Sequence, residues 1–190
     1  MPRNRAKGRI VPGGHGGSKA EDGLRSGAPG GLLRDALHTA AAQAPPAPCE
    51  DGGRYADFDF WVGEWDVFAP NDQRAGTNRI EKIERGCLLV EHWTGAGGGT
   101  GTSVNFYDPG RDRWRQLWVS FNGVVIDIEG GLRDGSMVLE GALIDAAGQR
   151  QPFRGTWTPN ADRSVRQHFE ISADDGRTWT TWFDGRYVPR

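Results

Sequence analysis

The sequence predicts an all-β domain, an antiparallel up-and-down barrel of about ten strands at residues 54–190, behind a disordered arm at residues 1–53. Three observations lead there. From Arg54 onward, short apolar or alternating segments recur roughly every 12–14 residues, each closed by turn residues, with no helical pattern between them. All eight tryptophans lie between Trp61 and Trp182, so the large apolar payload belongs to this segment. Residues 1–53 are instead rich in Gly, Ala, Pro and Arg and carry too little apolar surface to offset the entropy of ordering.

Within the arm, Leu32–Ala42 makes at most a short, fraying helix. Tyr55–Trp61 reads as one helical turn that plugs a barrel end, and Val62–Phe68 as the first strand. The stretch Phe58–Phe68 holds five aromatic side chains and marks the change in texture. A turn at Ala69–Asp72 leads to strands at Gly76–Arg85 and Cys87–Thr94. Gly95–Gly101 is predicted to be a flexible loop at the barrel mouth. Strands follow at Thr102–Tyr107 and Arg113–Phe121, joined by the turn Asp108-Pro109-Gly110. Asn122-Gly123 signals a hairpin, since both residues tolerate positive φ. The remaining strands are Val124–Gly130, Ser136–Ile144, Gln151–Thr158, Ser164–Ser172 and Thr178–Tyr187. Hairpin-joined strands of this number remove their exposed edges by closing into a barrel, although the same spacing also suits a two-layer sandwich.

The chain carries a net charge of −2, which gives no bulk electrostatic argument for nucleic acid or a membrane surface. The arm is slightly basic and residues 54–190 slightly acidic, with sixteen Lys/Arg against twenty Asp/Glu. No apolar run is long enough for a membrane span. Arg3, Arg5, Lys7 and Arg9 resemble the start of a signal peptide, but Arg34, Asp35 and His38 interrupt the nearest apolar stretch. Ala42-Gln43-Ala44 has the small-x-small form of a cleavage site, so a degraded or mis-started leader is the alternative to a plain disordered arm. The compartment stays open between export and cytoplasm. With it stays the pairing of Cys49 and Cys87, one disulfide or two free thiols.

Several strands alternate large aromatics with amides or carboxylates on one face: Trp114, Gln116 and Trp118; Glu91 and Trp93; Gln167 and Phe169. Phe153 and Trp157 supply apolar wall. Such a lining, mostly apolar with a few polar groups, suits a ligand cavity, and a filled core is the alternative. Catalytic signatures are missing. His92 and His168 do not stand at metal-ligand spacing, and His168 is out of phase with Gln167 and Phe169, which points it away from any haem site inside. Ser103 and Ser120 lack a nucleophile-elbow context. Glu91, Asp127, Glu129 and Glu140 could supply a glycosidase-like carboxylate pair, against the commoner reading of scattered strand carboxylates as solvent-facing. No metal and no cofactor is called for.

Gly63-Glu64-Trp65 on the first strand resembles the Gly-x-Trp signature of the calycin superfamily, which includes lipocalins and fatty-acid-binding proteins. That resemblance implies a calycin-like barrel in which Trp65 packs over the closed end beneath a last-strand arginine, here Arg186. Gly63 then permits close approach, and Phe60 and Trp61 seal the floor. The segments Phe58–Val67, Glu91–Gly95, Asn105–Asp108, Trp114–Val119 and Val165–Gln167 are also similar to a family of mostly bacterial lipocalin-like domains, over nearly all of residues 55–188. This resemblance implies binding of a small molecule and brings Asn105 into the candidate set. The ligand-binding candidates are therefore Glu91, Trp93, Asn105, Gln116, Trp118, Phe153, Trp157 and Gln167. Ser172–Trp179 matches the Asp-box pattern familiar from sialidase-type propellers, and a single copy reads as a hairpin turn.

The expected partner is a small hydrophobic or amphipathic molecule, with the protein a monomer or homodimer. Two alternatives are an isomerase or cyclase that uses Glu91 as acid/base within the cavity, and a carbohydrate-binding surface built from coplanar exposed tryptophans.

Overall fold

The computed structural model describes residues 47–190. The expectations for the arm, the Leu32–Ala42 helix and the leader lie outside the described residues.

Ten strands follow one another: β1 Gly63–Phe68, β2 Arg74–Ile83, β3 Leu88–Gly95, β4 Thr100–Asp108, β5 Arg113–Ser120, β6 Val125–Arg133, β7 Ser136–Ile144, β8 Arg150–Pro159, β9 Val165–Ile171 and β10 Thr180–Pro189. Each pairs antiparallel with its neighbour, and β10 returns to β1 with Trp65 opposite Pro189 and Phe68 opposite Arg186. The ring is closed. That settles barrel against sandwich, because a sandwich would leave two pairs of unpaired edges.

Gly95–Gly101 is not a seven-residue loop. Gly95 ends β3 and Thr100 begins β4, and the turn between them is pinned by hydrogen bonds from the Gly95 N–H to the Gly99 carbonyl (2.8 Å) and from the Gly98 N–H to the Gly95 carbonyl (2.9 Å). Gly101 lies inside β4, where its missing Cβ makes room for the Trp118 ring. At the Asn122-Gly123 hairpin only Gly123 takes a positive φ, +82°, while the Asn122 side-chain oxygen accepts a hydrogen bond from the Ser120 hydroxyl.

The chain enters the barrel through two short 3-10 turns, Gly53–Ala56 and Asp59–Trp61. Phe58 and Trp61 are fully buried, stacked on each other at 5.0 Å, and Phe58 meets Trp114 and Trp157 edge-on. The plug is fixed at its rim as well. The Trp114 indole donates to the Arg54 carbonyl (3.0 Å), and Lys82 on β2 binds Asp59 (2.6 Å). The preceding segment is tied down by a disulfide between Cys49 and Cys87, whose Cα atoms are 5.0 Å apart. Residues 47–53 therefore pack with the barrel, with Cys49 buried, although their composition alone reads as arm.

The Trp65–Arg186 pairing implied by the calycin resemblance is not formed. Trp65 is buried, donates its indole N–H to the Trp61 carbonyl (3.0 Å) and meets the Tyr187 ring. Arg186 precedes Tyr187, so the strand's alternation turns it outward, where it pairs with Asp72 at 3.0 Å and lies over Phe68. Gly63 also serves another purpose than close approach: an added Cβ would sit 3.6 Å from Trp65, an ordinary contact. Its φ of +144° is what only glycine adopts readily, at the point where the plug becomes β1.

Candidate functional site

Beyond the plug, the interior contains a cavity of about 110 Å³. Trp93 and Trp118 reach it from β3 and β5, Phe169 from β9, and Trp182 and Phe183 from β10, with Ile126 from β6. The polar groups on its wall are Glu91, Gln116, Gln167 and the Tyr187 hydroxyl-bearing ring. Trp93, Trp118 and Trp182 also line an adjoining recess of about 190 Å³, bounded by Gly99, Phe121 and Asn122 of the neighbouring turns. The three indoles thus stand between an inner cavity and an outer vestibule.

The aromatic walls depend on glycines within the strands. A Cβ at Gly76 would come within 2.8 Å of the Trp93 ring, one at Gly155 within 2.6 Å of Phe169, and one at Gly185 within 2.6 Å of Phe183. Trp93 and Phe169 fill space that a neighbouring strand leaves open, and Phe183 fills space left by Gly185 of its own strand, as close packing of an interior requires.

Glu91 is 4% exposed and holds the centre of a polar chain. Its Oε1 accepts from Asn78 Nδ2 and its Oε2 from Ser103 Oγ, both at 2.7 Å. Asn78 Nδ2 also reaches the Tyr187 hydroxyl (3.3 Å). On the other side Asn105 Nδ2 donates to Ser103 Oγ (2.8 Å), and Gln116 Nε2 donates to Asn105 Oδ1 (2.7 Å). Burial raises the Glu91 pKa above the ordinary carboxylate range, against the hydrogen bonds from Ser103 and Asn78 that lower it. Tyr187 is pushed well above its usual value by burial and then by the nearby Glu91 charge, so its phenol stays protonated. Gln167 Oε1 and Asn78 Oδ1 are buried with no hydrogen-bond partner among the described residues.

Of the eight residues expected from sequence, Glu91, Trp93, Gln116, Trp118 and Gln167 come together on the cavity wall. Asn105, Phe153 and Trp157 do not line it. Asn105 sits behind the wall, where it orients Gln116 and Ser103. Trp157 packs in the floor against Phe58 and Trp61, and Phe153 packs against Phe169 and Trp182 from behind. Sequence reasoning missed Phe183, Tyr187, Trp182 and Asn78. The spacing Phe183-x-Gly185-x-Tyr187 is a period-two signal for one face. Trp182 had no such signal: it shares the cavity with its chain neighbour Phe183 because the register of β10 shifts between Thr181 and Phe183.

The competing chemistries are placed elsewhere. His168 bonds Thr181 Oγ1 (3.1 Å) and His92 lies 3.3 Å from Glu81, each away from the cavity. Asp127, Glu129 and Glu140 pair on the outer face with Arg115, Arg111 and Arg133, so none joins Glu91. Among the described residues no three His, Cys, Asp or Glu cluster as metal ligands, and no helix is long and apolar enough to cross a membrane. In the Ser172–Trp179 turn, Asp174 accepts from the Thr178 N–H and hydroxyl (both 2.7 Å) and from Ser172 Oγ (2.8 Å). The Trp179 indole donates to the Gly176 carbonyl and lies under the Arg154 guanidinium. Every polar part of the motif is spent on the turn itself.

No protein-family model matches the chain, and neither does any curated protein.

Proposed function

We propose that this barrel binds a small hydrophobic or amphipathic molecule in the cavity between Glu91, Gln116 and Gln167 on one side and Trp93, Trp118 and Trp182 on the other. The observation that carries the reading is the cavity itself: it is aromatic-walled, studded with fixed polar groups and shares its Trp93, Trp118 and Trp182 walls with a recess beside it. Its volume of about 110 Å³ suits a ligand of one ring or a short chain. Native mass spectrometry of the purified protein tests this by looking for a co-purifying small molecule. Ile126→Trp places an indole in the cavity. Loss of the adduct in a variant with an unchanged circular dichroism spectrum supports the site, and an adduct retained at full stoichiometry refutes it.

A second reading, proton-transfer catalysis of the isomerase or cyclase type, is favoured by one observation. Glu91 is buried, raised in pKa and linked through the Asn78 amide to the Tyr187 hydroxyl, which suits it to accept and return a proton. Under it, Glu91→Gln retains the bound molecule and abolishes its conversion. A carbohydrate surface is not favoured: Trp61, Trp65, Trp114 and Trp157 are buried, and Trp182 is the only tryptophan more exposed than half-buried, at 44%.

A further inference from the structure

Resting on the binding reading, we infer that the cavity selects a small primary amine, bound as its ammonium, with an aryl or short alkyl body. The inference comes from matching donors to acceptors. Each Glu91 oxygen takes a single hydrogen bond, from Asn78 or Ser103, and a carboxylate has about four acceptor sites. Both of those partners are neutral. Among the described residues Glu91 has no ion-pair partner, and no lysine or arginine lines the cavity. A second acceptor, Gln167 Oε1, belongs to a residue that lines the same cavity, is itself buried and has no hydrogen-bond partner among the described residues. The site therefore presents unfilled acceptors and lacks a cation.

An ammonium group carries three N–H donors and a positive charge. It supplies the missing counter-ion to Glu91 and a donor to Gln167 in one group. An alcohol brings a single donor and no charge, and a carboxylate ligand brings like charge. The walls favour the same class. Trp93, Trp118 and Trp182 bring three indoles to the cavity and the recess beside it, and a cation held over an indole face is stabilised by the ring quadrupole. Residues 54–190, with twenty Asp/Glu against sixteen Lys/Arg, bias encounter the same way.

Proton linkage gives the inference a signature. The groups facing Glu91 are Asn78 from β2, Ser103 from β4 and Tyr187 from β10, and of these only Tyr187 titrates, well above neutrality. In the empty cavity burial favours the protonated carboxyl. An ammonium favours the carboxylate, so binding transfers the Glu91 proton to solvent.

Isothermal titration of the intact protein with benzylamine, benzyl alcohol and benzoate tests this. Benzylamine should bind at least about tenfold tighter than benzyl alcohol, and benzoate more weakly than either. In mildly acidic buffers of differing ionisation enthalpy, the heats should report proton release with benzylamine and none with the alcohol. Glu91→Gln, checked for folding by circular dichroism, should lose about tenfold for benzylamine and leave benzyl alcohol within twofold. Equal affinity for amine and alcohol, or a preference that survives Glu91→Gln, overturns the inference while the binding site stands. If none of the three probes binds, both the inference and the binding reading fail.

Discussion

Gly101→Ala is a small substitution with a large expected effect on the cavity. The residue lies within β4 with its Cα face turned to the lumen, and an added Cβ would stand 2.7 Å from Trp118 Nε1 and nearer still to Cε2 and Cζ2. Carbon atoms rest at about 3.5–4.0 Å, so the indole must retreat by roughly 1–2 Å, away from β4 and into the cavity it lines. A cavity of about 110 Å³ has no slack for that movement. Overpacking of this kind costs about 1–3 kcal/mol, and the displaced ring should also reduce affinity for benzylamine or the co-purifying ligand by at least about tenfold. The assay pairs a denaturant unfolding curve with a binding titration. Gly97→Ala is the control, because nothing lies within 4 Å of an added Cβ there. Gly101→Ala/Trp118→Phe should recover much of the stability, since the smaller ring relieves the clash. If Gly101→Ala matches wild type in both measurements, Trp118 is not where the cavity argument needs it.

Three further outcomes follow from the same geometry. Reducing the Cys49–Cys87 disulfide, which spans 38 residues of sequence, should cost about 4 kcal/mol on the chain-entropy relation; a thermal midpoint unmoved by dithiothreitol, with both thiols confirmed free, would rule that out. Trp65→Ala should destabilise by about 3–5 kcal/mol, judged from its burial and its indole bond to Trp61, and leave probe affinity per folded molecule unchanged; a loss of affinity at constant stability contradicts its floor role. Glu91 gives a pH signature. Because its folded pKa lies above the unfolded value, the native state binds the extra proton, and the stability this confers is lost as pH rises through the folded pKa. The difference in unfolding free energy between Glu91→Gln and wild type should therefore move in favour of the variant from pH 4 upward. A pH-independent difference would mean that Glu91 titrates normally.

The barrel was legible because it depends on local signals. Turn residues such as Asp108-Pro109-Gly110 and Asn122-Gly123 end strands wherever they occur, and period-two alternation at Trp114, Gln116 and Trp118 assigns a face without knowledge of the partner strand. Five cavity residues were legible for the same reason. What remained hidden depends on strands distant in sequence. The alternation of β9 and β10 says which side Gln167 and Tyr187 take, but only closure of β10 on β1 brings Tyr187 within reach of Asn78 and Glu91. Gly101 reads from sequence as the end of a flexible loop, and nothing local marks Gly76 or Gly185 as a place for a ring. In three dimensions Gly76, Gly101 and Gly185 are the spaces into which the Trp93, Trp118 and Phe183 rings fit. Trp157 looked like cavity wall, yet the incoming plug claims it through Phe58 and Trp61. Sequence alone indicated the succession of strands, the shared face on several of them and Glu91 as the candidate acid within the barrel, because backbone sterics and turn chemistry act over a few residues. Tertiary structure decided which of those inward groups share a cavity and which are consumed by packing, because volume is divided among side chains from strands that meet only once the barrel has closed.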